Sequence, residues 1–139
     1  MIVSLIRQFE GCKLKSYKCS AGIWTIGYGE TLGITAGMVW TLEEAERHLN
    51  NRVEYFLRNV YLKCPQLFLE TPNRVAACVS LAYNIGLGAF GASSVCRYTK
   101  QRNYEKAAAS FLLWDKAGGK RIKGLTIRRM EEKEIYETA

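Results

Sequence analysis

Residues 71–86, TPNRVAACVSLAYNIG, are apolar nearly all round. Thr71 is placed to cap a helix, Pro72 suits its first position and Gly86 its stop. A helix without a polar face has to be wrapped by other elements, so this stretch predicts the central buried helix of a helical body. The remaining sequence supplies the wrapping. Ile2, Leu5, Ile6 and Phe9 recur at helical spacing before a stop at Gly11. TLEE at 41–44 reads as a capping box, and Ala45, Leu49, Val53, Phe56 and Val60 then form an apolar stripe. GAFGASSVCRYTKQ reads as a loop and a short helix. NYEKAAASFLLWDKAGG reads as an amphipathic helix capped by Asn103 and stopped at Gly118, and LTIRRMEEKEIYETA as a charged closing helix. Only residues 17–31 break the pattern, mixing Gly with β-branched and aromatic residues as short strands joined by tight turns do. The predicted class is α+β, mostly helical. A small β-hairpin lobe (about 12–35) precedes a larger helical lobe (41–139) within one domain, and a cleft between them is the default place for a ligand.

At 139 residues, such a domain buries roughly two-thirds of its unfolded surface without metal or disulfide staples. No apolar run approaches the ~20 residues that cross a bilayer, and MIVSLIRQFE, broken by Arg7, is too short for a signal-peptide core. The five cysteines are an odd number without a C-x2-C pair, and His48 is the only histidine, so no metal site is expected. Twenty Lys and Arg against 13 acids give a net charge of +7. That suits a polyanion: nucleic acid, anionic lipid or an anionic wall polymer. A recognition helix or aromatic–basic motif for nucleic acid is absent.

Chemistry concentrates in FEGCKLKSYKCSAGIWTIGYG, residues 9–29. Glu10 falls in the last turn of its predicted helix, where the carbonyl ends disfavour an ionised carboxylate and raise its pKa. A carboxyl kept protonated can serve as a general acid; the alternative is a solvent-facing glutamate at a frayed end. The partner carboxylate that a glycosidase needs is not close: the next acid is Glu30, and the chain's sole aspartate is Asp115. Cys19 and Thr25 are the polar groups on hand. A cysteine is more often inert and buried than reactive, although Lys15 and Lys18 lie close enough in sequence to lower a thiol pKa.

This stretch resembles the signature of phage-type lysozymes, glycoside hydrolase family 24. That family carries a glutamate, an aspartate nine positions on and a threonine six beyond, set in E-G-x-x-L-x-x-Y and G-x-x-T-I-G-x-G. Here the positions read Glu10-Gly11, Leu14, Tyr17, Cys19, Gly22, Thr25-Ile26-Gly27 and Gly29. Similarity continues in LAYNIGLGAF, the serines of GASSV, AAASFLLW and GLTIRR. The resemblance implies a lysozyme-like fold and a muramidase that hydrolyses, with inversion, the β-1,4 bond between N-acetylmuramic acid and N-acetylglucosamine in peptidoglycan. It makes Glu10 the general acid. Cys19 and the Thr25 hydroxyl would hold or activate water on the opposite face, while Tyr83, Asn84 and Ser94 would line the glycan cleft. No cofactor is implied, and the anionic bacterial wall replaces nucleic acid as the partner for the charge.

Two departures stand out. Cys19 occupies the usual aspartate position, so an inactive peptidoglycan-binding relative is the alternative to an active endolysin. Glu30 stands where many relatives have histidine. Cys12 and Cys19 flank the same ribbon as Glu10, which motivates a redox latch: a Cys12–Cys19 disulfide would consume the catalytic thiol, in keeping with cysteine-bearing members of the family. Those members often begin with a hydrophobic signal-anchor. The expectation is therefore a monomer held in the host cytoplasm before lysis and acting on the wall in the periplasm, reached through a holin or by way of a missing N-terminal signal-anchor. The tryptophans Trp24, Trp40 and Trp114 default to core or cleft wall, Cys78 to a small hydrophobe, and His48 to a surface helix with no visible partner.

Overall fold

The computed structural model describes residues 1–138. It opens with helix α1 (Ile2–Glu10), strands β1 (Lys13–Lys18) and β2 (Trp24–Gly27), and the long helix α2 (Leu42–Lys63). Helices α3 (Pro72–Ile85), α4 (Leu87–Ala92), α5 (Ser94–Lys100) and α6 (Tyr104–Ser110) follow. A two-strand ribbon, β3 (Lys116–Ala117) and β4 (Lys120–Arg121), then leads into α7 (Lys123–Glu137). The α+β, mostly helical class expected from sequence is the class observed. The chain divides into two compact units whose boundary falls inside α2, between Glu54 and Tyr55, so α1 and the first part of α2 join the hairpin in the N-terminal unit.

In that unit β1 and β2 run antiparallel, with Tyr17 opposite Thr25 and Lys18 opposite Trp24. The three-residue loop Ser20-Ala21-Gly22 needs a left-handed residue to match the twist of the strands, and Gly22 supplies it at φ 76°. Cys19 closes the loop on both sides: its N–H donates to the Ile23 carbonyl (3.0 Å) and its carbonyl accepts from the Gly22 N–H (2.8 Å). Residues 38–40 cover the other edge of β1, with the Ser16 N–H on the Met38 carbonyl (2.9 Å) and the Trp40 N–H on the Leu14 carbonyl (2.8 Å). This pairing brings Trp40 onto α2, where it stacks on His48 with ring centroids 4.1 Å apart. His48 thus has a partner that its helical position did not reveal. The capping box at the start of α2 forms as expected, the Glu44 N–H donating to Thr41 Oγ1 at 3.1 Å.

In the C-terminal unit residues 75–83 of α3 are all buried, as an all-round apolar helix requires. α7 packs along it and α4 follows at its end, while α6 packs on α5 and α7. Two expectations need correction here, the first at residues 88–101, which read in sequence as a loop and a short helix and form two helices, α4 and α5. The helix opened by the Asn103 cap does not run to Gly118: α6 ends at Ser110, and a single 3-10 turn (Phe111–Leu113) follows. Gly118 and Gly119, at φ 58° and 79°, instead make the two-residue turn of the β3–β4 ribbon, a conformation that side-chain-bearing residues resist. The charged closing helix forms as α7, with part of its charge turned inward. Arg128, Arg129 and Glu132 are buried in it, with Glu132 paired to Arg129 at 2.7 Å and Arg128 at 3.2 Å.

Gly27 shows why the hairpin sequence tolerates little change. Its φ is 65°, and a Cβ there would stand 2.8 Å from Trp40 Cζ3. Gly27→Ala combines left-handed strain with a clash against a buried ring. The expected loss of stability is roughly 2–4 kcal/mol in denaturant unfolding.

Candidate active site

The candidate site in the N-terminal unit begins at the C-terminal end of α1. Gly11, at φ 64°, breaks the helix immediately after Glu10, and its N–H still donates to the Arg7 carbonyl at 3.2 Å. Glu10 is thereby held in the last turn, half-buried, as the sequence predicts. Its carboxylate lies against Gly29: a Cβ on that residue would come within 3.1 Å of Glu10 Oε1, and φ there is 90°. The two glycines of T-I-G-Y-G therefore have separate jobs. Gly27 admits the Trp40 ring and Gly29 admits the Glu10 carboxylate.

Tyr28, between them, points the other way into the unit. Its hydroxyl donates to Glu46 Oε1 at 2.7 Å, and Arg7 Nη2 donates to Glu46 Oε2 at the same distance. One carboxylate on α2 thus ties the helix that carries Glu10 to the segment that touches it. Arg7 first and Tyr28 second hold the Glu46 carboxyl below the usual range. Burial, with the bond to Glu46 behind it, pushes the Tyr28 phenol up to about 12. This trio was not legible in the sequence, because Arg7 and Glu46 are 39 positions apart.

Cys19 and Thr25 sit on facing ends of the hairpin. Thr25 is buried at 5% exposure and donates its hydroxyl hydrogen to the Ile23 carbonyl (2.9 Å). The Cys19 thiol is half-buried and its pKa is lowered, first by the backbone N–H of Ile23, then by that of Ala21. Activation by lysines, anticipated from sequence, is not the leading cause: Lys18 lies over the Trp24 ring with its Nζ 5.5 Å from the centroid. The loop amides do that work through local geometry. Glu30, the spare carboxylate, pairs with Arg52 at 3.4 Å, and its backbone bridges Ile26.

The Cys12–Cys19 latch is not formed; both thiols are free. Cys12 precedes β1 and Cys19 follows it, so an extended strand at ~3.3 Å per residue separates their Cα atoms by about 20 Å, against the ~7 Å limit for a disulfide. The bond would require β1 to be dismantled.

In the C-terminal unit Tyr83 and Asn84 close α3 and Ser94 opens α5. Tyr83 is mostly core, its ring 5.1 Å from that of Phe56. Asn84 is exposed, with its Oδ1 accepting from Arg129 Nη1 at 2.9 Å. Ser94 is half-buried, while the neighbouring Ser93 caps α5 by accepting from the Cys96 N–H at 3.2 Å.

Two measurements follow from this geometry. A lowered thiol pKa means more thiolate at a given pH. Alkylation of Cys19 by iodoacetamide, followed in Cys12→Ser, should reach half its maximal rate below the ~8.5 of a free thiol. Glu46 carries a depressed carboxylate pKa, so its contribution is complete above the unfolded value of about 4.3 and is lost as pH falls through the lower folded value. Unfolding midpoints measured from pH 6 down to about 3 should therefore drop less steeply in Glu46→Gln than in wild type.

Comparison with known proteins places this geometry in context. The family model described as phage lysozyme matches residues 7–132. The endolysin of Acyrthosiphon pisum secondary endosymbiont phage 1 is 40% identical over 141 residues, covering 97% of this chain and 94% of that protein. The endolysin of Bacillus phage PZA is 38% identical over 139 residues, covering 98% of this chain but only 53% of that longer protein. Among solved structures, the endolysin from Escherichia coli O157:H7 phage FAHEc1 superposes with a TM-score of 0.82 at 34% identity, covering 99% of this chain and 90% of that one. The T-I-G-Y-G hairpin, the helix-terminal Glu10 and a match across nearly the whole chain identify it as a member of the phage lysozyme family.

Proposed function

We propose that this chain is an endolysin: a muramidase that hydrolyses the β-1,4 bond between N-acetylmuramic acid and N-acetylglucosamine in bacterial peptidoglycan, for host lysis and phage release. The observation that carries the reading is Glu10 on the broken end of α1, its carboxylate received by Gly29, in the same unit as a loop that presents a thiol of lowered pKa. Glu10 donates its proton to the departing glycosidic oxygen as the bond to the anomeric carbon breaks. Water attacks that carbon from the opposite face, which inverts its configuration. Cys19, as thiolate, takes the proton of the attacking water and becomes the thiol. The Thr25 hydroxyl accepts from the same water while its own hydrogen stays on the Ile23 carbonyl. Proton exchange with solvent restores both groups.

Tyr83, Asn84 and Ser94 contact the glycan, and residues 1–139 act as one lysozyme domain in a monomer. The net charge of +7 favours the anionic wall over neutral glycans. No helix among the described residues is long and apolar enough to cross a membrane. The route from the host cytoplasm to the wall is a holin or an N-terminal signal-anchor.

Clearing of permeabilised Gram-negative cells by the reduced protein is the direct test. Glu10→Gln should lose at least ~100-fold of the rate, and Cys19→Ser should lose a comparable factor. An unchanged rate in Cys19→Ser would remove the thiol from the mechanism. A reduced wild type that binds walls without clearing them would favour the inactive binding relative, with Cys19 in the aspartate position as its cause.

A further inference from the structure

The cysteines that meet in this structure are not the pair that the sequence brings to mind. Cys64, just beyond the end of α2, and Cys96, on α5, are both fully buried and 32 positions apart. Cys64 Sγ reaches the Cys96 carbonyl at 3.9 Å, and Cys96 Sγ reaches the Lys63 carbonyl at 3.5 Å. We propose that Cys64 and Cys96 form a disulfide site, oxidised by a low-molecular-weight disulfide of the glutathione class, which staples the end of α2 to α5.

The surroundings favour this pair over the other three cysteines. Each sulfur lies against a backbone carbonyl at or beside the other cysteine, which sets the two side chains next to each other between the end of α2 and α5, where a bond would hold the sulfurs at ~2.05 Å. The site is tightly built: a Cβ on Gly91 of α4 would stand 2.9 Å from Lys63 Cδ. The two thiols are also unequal. Cys64 beside it, with help from Lys100 and Lys63, lowers the pKa of Cys96, whereas the pKa of Cys64 is raised, first by Cys96 and then by burial. Cys96 is accordingly the attacking thiolate. It displaces one glutathione thiolate from oxidised glutathione and forms a mixed disulfide. Cys64 then gives up its proton and attacks the Cys96 sulfur, which releases the second glutathione. Two protein thiols and one disulfide become one protein disulfide and two glutathione thiols, with electrons and protons balanced. Because both sulfurs are covered, exchange runs fastest while the chain folds and is slow once it has folded. The site works independently of wall hydrolysis.

The test is to refold the reduced chain in a glutathione buffer rich in the oxidised form, block free thiols with N-ethylmaleimide under denaturing conditions, and map the peptides. The expected product has lost two hydrogens, carries label on Cys12, Cys19 and Cys78, and contains one linked peptide pair, Cys64 with Cys96. Its thermal midpoint should lie roughly 10 °C above that of the reduced protein, a difference that Cys64→Ala abolishes. If the chain does not refold, the folded protein held in the same buffer for days gives the same map. Full labelling of Cys64 and Cys96, glutathione left on Cys96, or a link from either to Cys12, Cys19 or Cys78 would overturn the proposal.

Discussion

The N-terminal unit depends on one carboxylate. Glu46, in the second turn of α2, receives Arg7 from α1 and Tyr28 from the segment after β2, each at 2.7 Å. Three pieces of chain, each also burying apolar side chains such as Ile6, Ile26 and Leu49, converge on a single acceptor group. Such a pairing is partly exposed, and its Coulomb energy alone would be modest. Its value lies in direction. Arg7 is one turn before Glu10, and Tyr28 is next to the glycine that receives the Glu10 carboxylate. Glu10 is therefore positioned by a bond made one turn away from it.

The C-terminal unit solves a different problem. α3 has no face for water, so each neighbour must bring an apolar surface to it, and α7 does so while carrying charge inward. Glu132 is fully buried. Its pKa is raised by loss of solvent and pulled back by Arg129 and then Arg128. The Ser80 hydroxyl on α3 also donates to it, and Arg129 extends the network to Asn84 and the Trp114 carbonyl. A buried ion network adds little net stability over an apolar core, but breaking one member leaves a charge without compensation. This network specifies how α7 lies on α3 and sets the orientation of the Asn84 side chain at the end of that helix.

The parts of this fold that were legible in the sequence are those written in local chemistry. The capping box, Pro72 after Thr71, and the glycine stops at 11 and 86 are satisfied within a few residues of where they are encoded. The helix-terminal setting of Glu10 follows from the same rule. Misreadings arose where distant chain intervened. His48 looks partnerless until the pairing of residues 38–40 with β1 delivers Trp40. The segment after Ser110 keeps a helical composition, yet Gly118-Gly119 turns it into a ribbon whose path is fixed when Asp115 takes Arg121 and Thr126. Sequence proximity also misled at the cysteines. Seven positions along an extended strand are far apart, whereas 32 positions through four helical elements bring the Cys64 sulfur to the Cys96 carbonyl.

By itself the sequence determined the helix ends at Gly11, Thr41, Thr71 and Gly86, the buried character of α3, the hairpin, and the helix-terminal setting of Glu10. Backbone preference and apolar periodicity act within a few residues of the side chain that encodes them. The tertiary structure alone decided which carboxylate steadies α1, that loop amides rather than lysines lower the Cys19 pKa, and which two thiols meet. Those are matters of direction and distance between segments, and a side chain's identity carries neither until the rest of the chain has packed around it.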